Sequence, residues 1–306
     1  MTIENIRFAS LTAALAALTA APAPALAAPR SVDEHRAADP AGQVEIQNVA
    51  GRVEVFGWDK GEVAVSGTLG SDVERLDLTT EGSRTVVHVI NGNGMHWHGS
   101  GDGDTKLVVH VPARSSLSAT LVSADLKVEG ISGNQELHTV SGDVTTVAKN
   151  ELRVRTVSGD MHLSAGPDSR IVDISTVSGD LTLTGGAGEL NIQTVSGDGM
   201  VSFGQLSRGR IKTVSGDFSV SEDMTADGRF EAESVSGDFT VHFTGGTPQA
   251  AYDLESFSGE LSTCFGPKAT HESHGPGSRL VFKEGAGTAQ VRIDTKSGDV
   301  TLCNKK

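Results

Sequence analysis

Apolar and polar residues alternate in short runs along most of the chain. Val172 and Ile174, for example, are followed by Leu181 and Leu183, with polar residues between the members of each pair. A period of two predicts β-strands with one buried face. No uninterrupted helical pattern separates these runs, so the sequence predicts an all-β fold without crossover helices.

A five-residue motif interrupts the alternating runs at regular intervals. It reads TVSGD at Thr139–Asp143, Thr156–Asp160, Thr176–Asp180, Thr194–Asp198 and Thr213–Asp217, SVSGD at Ser234–Asp238, SFSGE at Ser256–Glu260 and TKSGD at Thr295–Asp299. The motif serines are 17, 20, 18, 19, 21, 22 and 39 residues apart. This near-fixed period predicts a parallel β-solenoid, β-helix-like, with rungs of about 17–22 residues.

Each motif marks a corner in the predicted rung. The inward residues that bracket it are seven apart, as Ile174 and Leu181 are. Because strand side chains alternate with a period of two, an odd separation requires a turn or bulge, and glycine can supply the positive φ. The predicted structural turn column comprises Gly142, Asp143, Gly159, Asp160, Gly179, Asp180, Gly197, Asp198, Gly216, Asp217, Gly237, Asp238, Gly298 and Asp299.

Degenerate copies of the motif extend the predicted domain upstream. Ala119 and Leu126 bracket LVSAD, and Ile46 and Val53 bracket NVAGR. We therefore expect one β-solenoid domain over residues 43–304. It is divided into irregular strands and a loop (56–112), repeated rungs (117–262) and a terminal rung with an excursion (263–304). Two strands are expected to flank the glycine-rich loop within the first section.

The N-terminal residues form a separate segment. Arg7 precedes an apolar run from Phe8 to about Ala20, and Ala25, Leu26 and Ala27 form a small-x-small cleavage site. This pattern predicts a signal peptide at residues 1–27, since the run is shorter than the ~20 residues of a membrane span. Residues 28–42 are expected to be a flexible segment. The mature chain is then exported and is periplasmic, on the cell surface or secreted.

Charge narrows the classes of partner. The chain has 25 basic and 39 acidic residues, a net charge of −14. This balance disfavours binding to nucleic acids or to anionic membranes. Aromatic residues are only 4% of the chain, which suits a thin core of stacked aliphatic side chains.

The motifs also carry a family resemblance. After the N-terminal segment come a G-W-D segment at Gly57–Asp59, a K-L-V-V-H-V-P strand ending at Pro112, and the V-S-G-D rungs. This order resembles the bacterial putative-adhesin family of domain-of-unknown-function proteins with β-strand repeats, over roughly residues 40–304. The resemblance implies a β-solenoid at the cell envelope and no catalytic residues.

The stacked carboxylates have two explanations. Hydrogen bonds from turn amides and serine hydroxyls can hold them, or calcium can bridge adjacent rungs. The first is simpler because calcium solenoids use a denser glycine–aspartate repeat. We expect no cofactor, with calcium as the alternative.

An enzyme is the alternative function. Adjacent carboxylates in the column would lie near the ~5 Å separation of a retaining glycosidase pair. A carbohydrate-active enzyme on a β-helix would need one aspartate pair made unequal by its surroundings, and the sequence distinguishes no rung from the next.

Two histidine segments are candidate binding sites. His96 and His98 flank Trp97 in the glycine-rich loop, and a second loop contains His271, Glu272 and His274. Zinc can use such ligands, but solvated loop histidines are the simpler interpretation because no helical zinc motif is present. Trp97 is a candidate contact for a protein surface or a sugar ring.

The two cysteines are predicted to form a disulfide. Cys264 and Cys303 each follow the motif serine of their rung by six residues. One rung step would place the Cα atoms ~4.8 Å apart, within disulfide range, whereas two steps would not. We expect one step, with the bond fastening the terminal coil. The predicted function is an exported, non-catalytic structural or adhesin-like binding protein, whose partner is an unidentified envelope or extracellular protein or glycan.

Overall fold

A computed structural model describes residues 30–92, 105–268, 270–271 and 277–304 of the chain. Within these ranges the protein contains β-strands, turns and loops and no helix, which confirms the predicted all-β class. Twenty-three strands are linked by hydrogen bonds into one continuous sheet.

The strands follow one another along the chain in three groups. The N-terminal group is β1 (Arg30–Ala37), β2 (Gln43–Trp58), β3 (Glu62–Leu69), β4 (Val73–Glu81), β5 (Arg84–Asn91) and β6 (Lys106–Pro112). The central group is β7 (Ser116–Glu129), β8 (Gln135–Ser141), β9 (Val144–Ala148), β10 (Leu152–Ser158), β11 (Met161–Ala165), β12 (Ile171–Ser175), β13 (Leu181–Gly185), β14 (Gly188–Gln193), β15 (Gly199–Lys212), β16 (Phe218–Ser236) and β17 (Phe239–Phe243). The C-terminal group is β18 (Ala250–Ser258), β19 (Leu261–Thr263), β20 (Thr270–His271), β21 (Ser278–Lys283), β22 (Ala289–Ser297) and β23 (Val300–Asn304).

Each repeat contributes one arm before its corner and one arm after it. The arms before the corners form a first parallel stack, in which Val154 pairs with Leu137 on one side and Ile174 on the other. The arms after the corners form a second parallel stack, in which Leu163 pairs with Leu183. Because β7 and β15 each run through both stacks, nine parallel strands close into a ring, in the order β7–β8–β10–β12–β14–β15–β13–β11–β9.

The core lies between the two stacks. The inward residues on both sides of each corner are buried, including Ile174 and Leu181. The seven-residue separation therefore places both side chains in the core, as the alternation predicted. Burial of such aliphatic side chains is the main stabilising contribution to the fold.

The N-terminal strands contain a repeat that lacks the VSGD motif. β2 passes through both stacks and pairs in parallel with β7. On its other side β2 pairs in parallel with β5 and β6, so these two strands are the arms of a further repeat. The two expected strands are therefore confirmed, but their section is more regular than predicted. A long connection replaces the VSGD corner here, so the motif gave no signal.

Antiparallel strands cover the N-terminal end of both stacks. β3 pairs with β6 and β4 pairs with β5, and β1 pairs with β3 over all eight of its residues. The expectation of a flexible segment at residues 28–42 is thus wrong for Arg30–Ala37. The physical reason is that a stack of parallel strands leaves an unpaired edge, and β1 and β3 cover the edge of β6.

The last two repeats are stacked in reverse order. β22 lies between β16 and β18, and β23 lies between β17 and β19. The expectation that the repeat at residues 289–304 ends the stack is therefore wrong. This repeat lies between the two repeats that precede it in the sequence. β21 pairs antiparallel with the edge of β18 that faces away from β16. The chain then returns to the opposite edge of β18, where β22 lies between β18 and β16.

Candidate functional site

The corner glycines have a backbone conformation that excludes a side chain. Gly179 has φ = 118° and Gly216 has φ = 130°, as predicted. A Cβ atom on Gly179 would lie 2.2 Å from the carbonyl oxygen of Gly159 in the neighbouring repeat. Positive φ and close backbone stacking thus both require glycine at this corner.

The corner aspartates form a ladder of hydrogen bonds. In each step the backbone N–H of one acidic residue donates to Oδ1 of its neighbour, as between Asp198 and Asp180 at 2.9 Å. The ladder begins at Asp125 and its N···O distances are 2.7–3.2 Å. It ends in the reversed order Asp238, Asp299, Glu260. The prediction that turn amides hold these carboxylates is confirmed.

The motif serines and threonines bond to backbone rather than to the carboxylates. The Ser178 hydroxyl donates to the Val157 carbonyl of the neighbouring repeat at 3.4 Å. The Thr176 hydroxyl donates to the Ser178 carbonyl at 3.0 Å. The expectation that serine hydroxyls hold the aspartates is therefore wrong, because the carbonyl of the repeat below is their acceptor.

This bonding bears on both chemical alternatives for the column. The carboxylates of Asp143, Asp160, Asp180, Asp198 and Asp217 share one hydrogen-bonding pattern, so these bonds distinguish no pair among them as an acid and a nucleophile. Asp125 also accepts a hydrogen bond from Arg52 at 3.2 Å. Among the described residues no group of three or more His, Cys, Asp or Glu side chains is arranged to hold a metal ion. The corner polar groups hold neighbouring repeats together.

The second residue of each motif points outward, and in most repeats it is a valine, so that these valines form an apolar surface. We define the valine column as Val49, Val122, Val140, Val157, Val177, Val195, Val214 and Val235. These side chains are 39–52% exposed. With strands ~4.8 Å apart, eight valines extend about 34 Å along the stack. Lys296 and then Phe257 continue the column at its C-terminal end.

A shallow groove runs beside the valine column. It has a volume of about 630 Å³ and is lined on one side by Val177, Val195, Val214 and Val235. Lys212 and Glu233 lie among its other lining residues, with Nζ 2.7 Å from Oε2. The hydrogen bond from Lys212 lowers the pKa of Glu233. The surface next to the valines thus carries paired charges.

The valine column was missed at the sequence level although its signal was present. Leu137 and Thr139 face inward, so the same alternation places Val140 on the outer face. The signal is the valine before the motif serine, which recurs in nearly every repeat.

The predicted disulfide is present between Cys264 and Cys303. Their Cα atoms are 4.9 Å apart, the distance expected for one rung step. The bond joins neighbouring repeats, but the terminal coil that it fastens is the one that contains Cys264. The reversed order accounts for this difference.

The histidine and tryptophan candidates are not brought into the site. His96, Trp97 and His98 lie outside the described residues, as do Glu272 and His274. His271 lies in the short strand β20, which pairs with β21.

One buried carboxyl group falls within the core. Glu222 is fully buried at an inward position of β16, two residues after Val220, and pairs with Phe243 of β17. Within the described part of the chain neither of its carboxyl oxygens has a hydrogen-bond partner. Burial, with a smaller contribution from Asp223, raises its pKa to about 8. A charged residue at an inward position of the alternating pattern is the sequence signal that marks Glu222.

No helix in the described ranges has the length and apolar character needed to cross a membrane. A search of curated proteins gives no match.

Solved structures provide low-similarity matches. A putative adhesin from Bacteroides fragilis is 10% identical, with 90% of this chain and 97% of that chain covered and a TM-score of 0.40. A putative adhesin from Parabacteroides distasonis is 11% identical, with 89% and 97% covered and a TM-score of 0.37. A putative cell adhesion protein from Clostridium sporogenes is 7% identical, with 90% and 100% covered and a TM-score of 0.22.

The family comparison covers most of the repeats. A family model described as Toastrack DUF4097 matches residues 75–303, from β4 to β23. This range includes all eight regular corner motifs. The chain therefore belongs to the Toastrack DUF4097 family.

Proposed function

We propose that the chain is an exported, non-catalytic β-solenoid that acts as an adhesin-like binding protein at the cell envelope. The valine column is its contact surface. The column is the observation that carries this proposal, because it is an apolar surface on a scaffold whose corner polar groups mostly make internal hydrogen bonds.

The solenoid interpretation is supported by the path of the chain. β7 and β15 each pass from one stack to the other, and successive central repeats pair in parallel, with local register shifts in β14 and β15. A coil that adds one arm to each stack in every turn gives this pairing. The ring of nine strands then consists of the arms of several successive coils.

The valine column is suited to binding because its exposure is not required by the fold. Threonine has a similar shape and strand preference and would cover the same backbone. Monomeric soluble proteins rarely expose contiguous apolar patches larger than a few hundred Å², and the largest such patch is often an interaction site. The corner ladder holds the valines at fixed spacing, so little conformational entropy is lost on binding.

Export is supported by two features. The N-terminal sequence has the charge, apolar run and cleavage site of a signal peptide. The only two cysteines are joined in a disulfide, as is typical of oxidising compartments. The partner is an envelope or extracellular protein or glycan.

Binding to envelope fractions and a glycan array by labelled residues 28–306 tests the proposal. The test variant is Val157→Lys with Val195→Lys. The matched control is Val147→Lys, because Val147 is 43% exposed but lies on the second stack, outside the column. We expect the double variant to lose at least tenfold in affinity and the control to bind normally. Equal binding by all three proteins would refute the assignment of the surface.

A further inference from the structure

We propose that the partner of the valine column is the valine column of a second copy of this chain, packed in antiparallel orientation. This proposal rests on the proposed function and names the partner of the same surface.

The spacing of the valines favours a partner built from stacked strands. Successive valines are one strand spacing apart, ~4.8 Å, whereas successive turns of an α-helix are 5.4 Å apart. Over the seven intervals of the column this difference accumulates to roughly 4 Å, almost one full step. A helix therefore loses register along the column. A second stack of the same repeats keeps register over its whole length.

The charges beside the column favour antiparallel pairing. The outward residue two positions before the valine is Arg155 in the N-terminal part of the stack and Glu233 in the C-terminal part, with Lys212 in the repeat before Glu233. Asp294 and Glu255 continue the acidic part beside Lys296 and Phe257. The side chains of Arg155 and Glu233 are 51% and 50% exposed, and each has an ion-pair partner in its own chain, Glu136 at 3.5 Å and Lys212 at 2.7 Å, so a contact across the interface would join these pairs.

A two-fold axis at Val195 brings the opposite charges together. Val157 lies two repeats before Val195, and Val235 lies two repeats after it. A two-fold axis that passes through Val195, lies in the plane of the interface and is perpendicular to the column therefore places Val157 of one copy against Val235 of the other. The same operation places Arg155 against Glu233 at both ends of the contact. Self-complementarity of this kind is what an isologous interface requires.

The size of the column predicts weak, concentration-dependent association. A strip about 34 Å long and roughly one side chain wide buries a few hundred Å² per copy, below the ~800 Å² of a standard interface. We expect dissociation in the micromolar range or weaker for isolated copies. Copies presented together on a surface would gain affinity through multivalency.

Cysteine variants of the full chain test both the contact and its direction. The native cysteines are paired, so each introduced cysteine is a free thiol. Under mild oxidation at about 200 µM protein, a concentration suited to micromolar affinity, Val195→Cys is expected to form a disulfide-linked dimer. Val157→Cys and Val235→Cys should each remain monomeric alone but cross-link when mixed. Val147→Cys is the control and should not cross-link. Sedimentation velocity should show that Val195→Lys raises the dimer dissociation constant at least tenfold and that Val147→Lys does not.

The outcomes separate this proposal from the proposed function. Cross-linking of Val157→Cys with itself as efficiently as Val195→Cys would overturn antiparallel pairing. A protein that stays monomeric at about 200 µM, and whose column variants lose binding to envelope fractions or glycans, would overturn self-association but support the proposed function. Column variants that change neither self-association nor partner binding would overturn both.

Discussion

Replacing Glu222 with glutamine should remove most of a specific pH dependence of stability. In the unfolded chain this carboxyl group titrates near its ordinary value of 4.5, whereas burial raises its pKa in the folded protein to about 8. Between these values the folded state holds a proton that the unfolded state has released. Stability therefore falls as pH rises across this window, and the fall levels off above the folded pKa.

The size of the effect follows from the same two values. Each pH unit in the window costs about 1.4 kcal/mol, so Glu222 should reduce the free energy of unfolding by about 3 to 4 kcal/mol between pH 5 and pH 8. The surroundings of the group agree with this direction. Asp223 repels the charged form, and neither carboxyl oxygen has a described hydrogen-bond partner. The charge of Glu222 also contributes to the raised pKa of Tyr252, after burial and Glu284.

Urea unfolding at pH values from 5 to 9 would measure the effect. The informative quantity is the difference in unfolding free energy between Glu222→Gln and the unaltered protein at each pH, because every other titrating group cancels. The buried amide imposes its own cost, but that cost is constant with pH. We expect the variant to gain about 3 kcal/mol relative to the parent between pH 5 and pH 8.

Glu255→Gln is the control, because this glutamate is exposed on β18, and it should give a difference that does not vary in this way. A Glu222→Gln difference that is the same at pH 5 and pH 8 would refute the reasoning. It would mean that the carboxyl group has a polar partner in solution or is not buried.

Three further predictions concern the corners and the disulfide. Gly179→Ala should lower the unfolding free energy by more than ~1 kcal/mol in a urea titration, since both φ and the neighbouring backbone exclude a Cβ atom. Gly61→Ala is the control and should be nearly neutral, because its Cβ atom would make only ordinary contacts. Asp180→Asn should cost about 1 kcal/mol and EDTA should leave the melting temperature unchanged, because an amide oxygen can still accept the ladder bond; a large fall on chelation would establish calcium instead. Intact-mass analysis should find Cys264 and Cys303 without free thiols, and reduction should lower stability by about 3–4 kcal/mol for a closed loop of this length, whereas two thiols in the natively exported protein would contradict the bond.

The sequence was sufficient to predict the corners because each corner is specified locally. The seven-position separation of Ile174 and Leu181, with Gly179 between them, determines which side chains face inward and where φ must be positive. The same periodicity places Glu222 inward and Val140 outward, so both could have been found by testing every position against the alternation. Neither residue belongs to the serine, glycine and aspartate positions on which the corner prediction depends.

The order of the repeats could not be predicted in the same way. Alternation specifies which residues face the core, but every corner presents the same backbone groups to its neighbours. The N–H of Asp299 donates to Asp238, and if the repeats were stacked in sequence order the N–H of Glu260 would make the same bond. One longer-range feature that decides the order is β21, which covers one edge of β18 and leaves only the other edge for a parallel neighbour. The disulfide is compatible with either order, because β19 and β23 are neighbours in both.

The reversed order of the last two repeats has a consequence for how the chain folds during synthesis or translocation from its N-terminus. Each central repeat can add to the repeat before it as soon as it emerges. This progression stops after β17, because the native neighbours on the remaining open edges of β16 and β17 are β22 and β23. These two are the last strands to appear. β18 and β19 can pair transiently with that open edge, and such pairing must dissolve before β22 and β23 take their places. Completion of the fold therefore depends on the final 16 residues of the described chain, 289–304. A chain truncated before β22 would keep an exposed parallel edge, which is a template for aggregation.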